Sequence, residues 1–258
     1  TARENISRHP LPTAMLKSRQ LLFLGLVFFL SFLVIFLPAS SIRFVTNAIP
    51  AIDFSTTEGS IWNGSGRLRV TKLYAGSLSW SVDPVQLVFG KLAIEWVLED
   101  QTHTFGGAAT IRLGSMAFSF DGLIEAATIN RVLAPYNMNL NGALHLRSIK
   151  ATINKSEGPI RIQGHMRWDG GTVQYHMSNQ RFQRELPALL GELQMVEGIP
   201  SMTVRSETDD TPLIRARLDD DGWVHIGITK RFTRLIGQPW QGSEPDPAIV
   251  MEVSEKLL

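Results

Sequence analysis

The stretch Ser77-Leu78-Ser79-Trp80-Ser81-Val82 alternates small polar and apolar side chains without exception. Successive side chains of a β-strand point to opposite faces of a sheet, so this period of two predicts a strand with one buried face and one wet face. The same period recurs further along the chain, at Met116, Phe118 and Phe120, at Leu144 and Leu146, at Ile160 and Ile162, at Met166 and Trp168, at Met202 and Val204, and at Val224, Ile226 and Ile228. We therefore expect a mainly β fold.

Turn motifs separate the alternating segments: Asn63-Gly64-Ser65-Gly66, Asp83-Pro84, Gly106-Gly107, Asn141-Gly142, Asp169-Gly170-Gly171 and Asp221-Gly222. Residues of these types favour turns, and we interpret the first motif as a hairpin turn. The spacing predicts about a dozen strands, mostly antiparallel because their connections are short. After residue 55, helical signal is limited to three short segments, at residues 124–133, 179–186 and 232–236.

Residues 21–37, LLFLGLVFFLSFLVIFL, form a run of seventeen residues without a charge. A helix rises about 1.5 Å per residue, so roughly 20 apolar residues cross the ~30 Å hydrocarbon core of a bilayer. Four basic residues precede the run and one follows closely: Arg3, Arg8, Lys17, Arg19 and then Arg43. This bias predicts a transmembrane helix with its N-terminus in the cytoplasm and the rest of the chain across the membrane.

A cleaved signal peptide is the alternative interpretation of this run, because Ala39 and Ser41 are small enough for a cleavage site. The apolar region of a signal peptide usually spans about 7 to 15 residues, which is shorter than this run. A long polar tail also precedes the run. We therefore expect an uncleaved anchor.

The predicted organisation follows from the anchor. It comprises a cytoplasmic tail (1–20), a transmembrane helix (21–39), a connector (40–55) and a periplasmic β domain (56–258). A weak internal repeat relates the segment that begins at Gly59 to the segment that begins at Gly164. This repeat leaves open whether the β domain consists of two similar sheet units, about 56–150 and 151–258.

Patterns typical of catalysis or metal binding are absent from the sequence. There are no cysteines, and the six histidines show no metal-ligand spacing. Asp219-Asp220-Asp221-Gly222 lacks the alternating oxygens and the distal Glu of a calcium loop, and no G-x-S-x-G elbow is present. The net charge of +1 gives no pull toward nucleic acid. We assign no catalytic, cofactor-binding or metal residues, and a membrane-anchored enzyme is disfavoured.

The six tryptophans are the remaining conspicuous side chains. Trp80, Trp96 and Trp168 lie inside alternating segments, so we expect them in the core. Trp62 and Trp240 lie beside turn motifs and are our candidates for contact with a partner protein.

Several motifs resemble the type II secretion system protein N family. The segment Glu58-Gly59-Ser60-Ile61-Trp62-Asn63-Gly64-Ser65-Gly66 is similar to its G-T-L-W-S-G signature, although Ser60 and Asn63 replace the usual Thr and Ser. Leu140-Asn141-Gly142-Ala143-Leu144-His145-Leu146 resembles its L-x-G-x-L-x-L strand. Leu235-Ile236-Gly237-Gln238-Pro239-Trp240 resembles its closing L-x-G-Q-P-W. The motifs occur in the family's order over nearly the whole chain.

The resemblance implies a single-pass protein of the Gram-negative inner membrane, with a periplasmic domain that supports export of folded proteins across the outer membrane. It also implies likeness to AsmA-type sheets, so we expect an antiparallel, strongly curved β-sheet with a few short helices. The expected partners are other inner-membrane and periplasmic components of the secretion system, together with membrane lipid at the N-terminal helix. Nucleic acid and cofactors are not expected, and homo-oligomerisation is left open.

Two functions remain in competition. The first is a non-enzymatic secretion component that docks other proteins through sheet edges and exposed aromatic side chains. The alternative is an AsmA-like periplasmic groove that handles lipid. The inward face of the sheet distinguishes them: a second layer would cover it in a packed core, whereas a groove would leave it uncovered.

Overall fold

The computed structural model of the chain describes residues 18–42, 52–70, 73–154, 160–177 and 180–256. The chain divides into two compact units, Thr1–Pro38 and Ala39–Leu258. We describe each unit separately.

The first unit contains helix α1 (Ser18–Ile35), whose described leucine and phenylalanine side chains are exposed. Within the described residues, no helix is both long enough and apolar enough to cross a membrane. The transmembrane helix predicted for residues 21–39 is therefore not found.

The second unit contains sixteen described strands. They are β1 (Ile52–Gly59), β2 (Asn63–Val70), β3 (Leu73–Asp83), β4 (Lys91–Asp100), β5 (His103–Arg112), β6 (Ser115–Ile124), β7 (Met138–Leu140), β8 (Leu144–Asn154), β9 (Arg161–Trp168), β10 (Gly171–Met177), β11 (Gln180–Leu186), β12 (Leu189–Val196), β13 (Ile199–Ser206), β14 (Asp209–Leu218), β15 (Trp223–Thr229) and β16 (Ile249–Lys256). The helices are short: α2 (Val85–Val88), α3 (Ala126–Leu133), α4 (Lys230–Leu235) and the 3₁₀ turns Ala39–Ser41 and Ala134–Tyr136.

Thirteen strands form one antiparallel sheet in the order β1-β2-β3-β4-β5-β6-β8-β9-β12-β13-β14-β15-β16. The other three form a small sheet in the order β11-β10-β7. Because strands dominate this unit and every described pairing is antiparallel, the mainly β, antiparallel prediction is confirmed. The large sheet runs on from β8 to β9, and the predicted division into two similar units stays a prediction.

The predicted strong curvature is wrong, because the large sheet neither closes nor curls strongly. Its outermost strands, β1 and β16, lie at opposite ends of the strand order. β-bulges bend strands, but the pairings of β5 with β4 and with β6 each run over ten positions without a register shift. These two pairings are regular, whereas the pairings of β8 with β6 and with β9 each contain a register shift.

Two glycine motifs predicted as turns lie inside strands instead. Asn63–Gly66 is part of β2, and Gly106 and Gly107 lie within β5. These glycines serve packing, since a Cβ on Gly64 would lie 2.7 Å from Trp80 Cζ2, and one on Gly107 would lie 2.7 Å from Phe120 Cβ. At Gly64 the close atom belongs to an aromatic ring, as in aromatic rescue of sheet glycines, whereas at Gly107 the closest atoms are the main chain and a Cβ of β6.

The helix predicted at residues 179–186 is also wrong, because residues 180–186 form strand β11. Phe182 and Leu186 are four residues apart, a spacing that fits a helix as well as a strand. Tertiary contacts decide between them: β11 pairs with β10 over seven positions, and Phe182 stacks on Tyr175 with ring centroids 5.3 Å apart. The other two predicted helices are present as α3 and α4.

Helix α4 is fixed to the large sheet by its N-cap residue. The buried Thr229 Oγ1 accepts a hydrogen bond from the Phe232 N–H (3.3 Å) and lies 2.9 Å from the Leu213 carbonyl oxygen, to which it donates. A threonine N-cap satisfies one of the free N–H groups at the start of a helix. The same hydroxyl thus links α4 to β14 and sets the position of Phe232.

Two small buried clusters lie within this unit. Near the first strands, Ala39, Phe54 and Trp80 pack together, with Phe54 and Trp80 edge to face at 6.1 Å. The second cluster joins Trp168 of the large sheet to Val173 and Leu186 of the small sheet. The small sheet therefore forms a second layer over part of the large one.

The close approach at Gly64 gives a test of the packing. Gly64→Ala should lower the free energy of unfolding by about 2 kcal/mol, because the new methyl group has no room beside Trp80. Gly106→Ala is the matched control, since the nearest atom to its Cβ is 4.0 Å away. Urea unfolding of both variants measures the difference. Equal stability of the two variants would contradict the packing role.

Candidate functional site

One face of the thirteen-stranded sheet is apolar from its first strand to its last. Cross-strand pairing places Trp80 opposite Trp96, Met202 opposite Ala216, and Ile226 opposite Val253. We call this surface the apolar face and define it by one residue of each strand in sheet order: Phe54, Leu68, Trp80, Trp96, Ala109, Phe120, Ile149, Met166, Leu193, Met202, Ala216, Ile226 and Val253. The opposite surface is the polar face.

The apolar face is only partly covered. The turn Ala39–Ser41 covers its beginning, and the small sheet covers part of its middle. Between these two covers, side chains of this face on β4 remain partly accessible, as at Ile94 and Trp96. Likewise, Phe120 is half-buried, although its ring lies 6.2 Å from Trp96 and 6.4 Å from Phe105. Much of the apolar face therefore lacks a second layer in the part of the chain that the structure describes.

Charge is distributed unevenly on the polar face. β4 and β6 carry acidic side chains there, and β8 to β14 carry mainly basic ones: Glu95, Glu99 and Asp121 in the first group, and Arg147, Lys150, His165, Arg205 and Arg215 in the second. Arg67 and Arg69 of β2 also lie on this face, so only the strands from β8 onward carry charge of one predominant sign.

An ion-pair network lies on the polar side of β8 and β9. His145 Nε2 lies 3.0 Å from Asp169 Oδ2, and Arg167 bonds both Asp169 and Glu207. The hydrogen bond from His145 holds the pKa of the Asp169 carboxyl below its ordinary value, with Arg167 adding to the effect. Likewise the hydrogen bond to Glu207 raises the pKa of the Arg167 guanidinium. The network links β8 and β9 to the turn that follows β13.

The last strand of the large sheet, β16, presents an exposed edge. It pairs with β15 on one side and is the final strand in the sheet order. Three of its apolar side chains are about half exposed: Ile249 at 45%, Met251 at 49% and Val253 at 52%. A long apolar edge strand of this kind is a template for pairing with another strand. The alternation of Ile249, Met251 and Val253 was visible in the sequence, but it does not reveal which strand lies at an edge.

A cluster of Asp219, His225 and Ser254 ties β16 to the turn between β14 and β15. His225 Nε2 lies 3.1 Å from Asp219 Oδ2, and His225 Nδ1 lies 2.8 Å from Ser254 Oγ. A Glu252 carboxylate oxygen is 3.3 Å from the same Nδ1 and competes with the hydroxyl. Ser254 also lies in a regular strand, not on the strained strand-to-helix turn that exposes a nucleophilic serine. The arrangement serves attachment of the edge strand.

The two tryptophans predicted to contact a partner lie far apart. Trp62 is half-buried in the turn before β2, where its carbonyl oxygen accepts a hydrogen bond from the Val82 N–H (2.6 Å). Trp240 is 42% exposed in the loop between α4 and β16. β2 and β15 are ten strand spacings apart, or roughly 48 Å at about 4.8 Å per spacing. A single small partner site cannot include both, and their role as contacts stays a prediction.

In the described ranges, no group of three or more His, Asp or Glu side chains is arranged so that it could hold a metal ion. His103 is buried and contacts the Ala75 carbonyl oxygen at 2.5 Å through Nε2. Its Nδ1 lies 3.9 Å from Asp100 Oδ2. These contacts join β5 to the end of β4 and to β3.

The Asp169 network predicts a pH-dependent stability. Because the pKa of Asp169 is lowered in the folded chain, its contribution is present at neutral pH and is lost as the pH falls through that lowered pKa. Asp169→Asn should therefore reduce stability at pH 7 by less than about 1 kcal/mol, since the side chain is 38% exposed. Urea unfolding from pH 7 to pH 3 should show wild type and variant converge. Asp220→Asn, in an exposed turn, is the control; a constant difference at every pH would contradict this account.

Comparison with known proteins identifies the family. The family model for type II secretion system (T2SS), protein N, matches residues 50–239. No curated protein and no solved structure gives a significant match. The matched range covers most of the large sheet and all of the small one, and it includes the motifs around Trp62 and Gly142. The chain belongs to the type II secretion system protein N family.

Proposed function

We propose that the chain is a non-enzymatic inner-membrane component of the type II secretion system, and that it supports export of folded proteins from the periplasm through contacts with other proteins. Membership of the family makes it a component of type II secretion. We further propose that it acts without catalysis, lies in the inner membrane and binds other secretion proteins.

The exposed edge of β16 is the observation that carries this proposal. A free strand edge binds an extended partner segment through main-chain hydrogen bonds, and alternate side chains supply specificity. Ile249, Met251 and Val253 would lie beside the apolar residues of an added strand, so that the apolar face continues into the partner. Natural proteins usually protect an edge with charges that point inward, but on this face of β16 the first charge is Glu255.

The position of Trp240 is a second observation that favours a partner site at the β16 end of the sheet. It lies in the loop that leads into β16, and its N–H donates to Thr233 Oγ1 at 3.2 Å. An exposed tryptophan near an open strand edge is a typical anchor of a protein interface. We therefore place the main partner contact at β16 and Trp240, and the expected partner is another inner-membrane or periplasmic secretion component.

The proposed location rests on the sequence. The apolar run at residues 21–37 extends two residues beyond the end of α1, and a helix continued to Leu37 would come closer to the bilayer core thickness. The basic residues before the run support an N-terminus in the cytoplasm and a β domain in the periplasm. The anchor would also supply the contact with membrane lipid.

A reporter fusion tests this topology. Alkaline phosphatase, which folds only outside the cytoplasm, should be active when fused after Lys256 and inactive when fused after Lys17. Green fluorescent protein at the same two positions should give the reverse pattern, and it serves as the internal control. An active phosphatase at both positions would overturn the proposed orientation.

The edge strand gives the central prediction. Met251→Lys with Val253→Lys should leave the protein folded, because both side chains are about half exposed, and should reduce secretion several-fold by blocking strand addition. Folded exoproteins should accumulate in the periplasm of the native host, as they should when the gene is deleted. Secreted and periplasmic fractions are compared after complementation with wild type or variant.

Leu113→Lys is the matched control, because Leu113 is a fully exposed apolar residue in the β5–β6 turn. It should restore secretion as wild type does. Normal secretion in the deletion strain would contradict a role in export. Normal secretion by the edge variant alone would contradict the β16 contact but leave the role in export standing.

A further inference from the structure

A cavity of about 290 Å³ lies between the small sheet and the apolar face of the large sheet. Met166, Val204 and Ile214 of the large sheet form its floor, Leu140 and Val173 of the small sheet form its roof, and Phe232 of α4 closes one side. These residues come from six separate strands and helices, and the second layer holds them around one space.

The lining of the cavity offers no hydrogen-bonding group. The side chains that line it are apolar apart from the indole N–H of Trp168. Trp168 Nε1 donates to the Asn141 carbonyl oxygen at 2.8 Å. The N–H and C=O of Leu140 both bond the side-chain amide of Asn130, at 2.8 and 2.9 Å.

The apolar lining determines which class of ligand the cavity can bind. An apolar cavity of 150 Å³ binds small hydrocarbons, and water in this one would have no polar side chain to bond and would be readily displaced. A peptide segment would bury amide groups without partners, which is unfavourable. A hydrocarbon chain needs no hydrogen bond and gains from the removal of its surface from water.

The cavity is also accessible from outside. Its roof and one wall are buried at Val173 and Trp168, whereas the floor residues Met166, Val204 and Ile214 are only half-buried. Closed protein interiors contain few voids larger than a water molecule. A half-open apolar space of this size is therefore a binding cavity and not a packing defect of a closed core.

We propose that this cavity binds one unbranched acyl chain. Its volume is about twice that of the apolar cavity that holds benzene, which accommodates a segment of about ten to twelve carbons. A longer chain would continue along the apolar face past Met202 and Ala216, which are half-buried next to Val204 and Ile214. This site is separate from the β16 edge and does not depend on the function proposed for that edge.

Direct binding tests the site. The full chain is purified in digitonin, a steroid detergent without an unbranched tail, and titrated with a fluorescent polyene fatty acid. We expect saturable binding of one molecule per chain. Val204→Trp should weaken binding by about tenfold or more, because each methylene kept out of the cavity costs about fourfold in affinity. Thr203→Trp adds the same ring on the polar face of the same strand and should bind as wild type does.

A cysteine-protection experiment keeps the test valid if the tryptophan variant does not fold. The chain has no cysteine, so Ile214→Cys and Arg215→Cys each place one thiol, in the cavity floor and on the polar face respectively. Bound fatty acid should slow the reaction of a small thiol reagent with the first variant and leave the second unchanged. Equal reaction rates with and without fatty acid in both variants would overturn the proposal.

Lipid that copurifies with the protein identifies the molecule to which the bound acyl chain belongs. Mass spectrometry of an organic extract distinguishes a bound free fatty acid from a bound phospholipid. Either lipid supports the site if the extract of Val204→Trp contains less of it than the extract of wild type. An extract with the same lipid content in wild type and in folded Val204→Trp would contradict it. These lipid-binding results do not bear on the secretion assays of the β16 variants. The acyl-chain site and the β16 partner contact can therefore be disproved separately.

Discussion

The whole structure depends on a single constraint, which is that thirteen strands keep their apolar side chains on one face. A shift of one residue in any strand would move its apolar set to the opposite face. Where the register does shift, as between Arg147 and Lys150 on β8, a bulge with Ser148 at φ 50° returns Leu146 and Ile149 to the same face. The register thus preserves the apolar face across the sheet.

The alternation that expresses this constraint made most of the fold predictable from sequence. Segments such as Ser77–Val82 and Val224–Ile228 are strands because their period of two has no competing interpretation. The errors arose where local chemistry was ambiguous. Glycine occurs both in turns and in strands whose neighbours leave no room for a Cβ, so the sequence predicts turns at Gly64 and Gly107, although both lie in strands. The strand β11 likewise depends on pairing with β10, which no local pattern specifies.

The candidate sites were less predictable, because they arise from position in the sheet. Trp62 and Trp240 could be chosen from their neighbouring turns, but their separation of ten strand spacings could not. The apolar residues of β16 resemble those of any interior strand, and only the strand order makes them an edge. Residues from Ile129 to Phe232 line the cavity. To predict the cavity, one must therefore know which strands form the second layer.

The partial second layer explains how one domain can carry two unrelated binding surfaces. A strand added at β16 lies in the plane of the large sheet and uses main-chain hydrogen bonds. An acyl chain in the cavity lies above that plane and contacts only side chains such as Val204 and Ile214. The first interaction is directional and the second depends on buried apolar area. Because neither uses a residue of the other, a protein partner and a hydrocarbon chain can be bound at the same time.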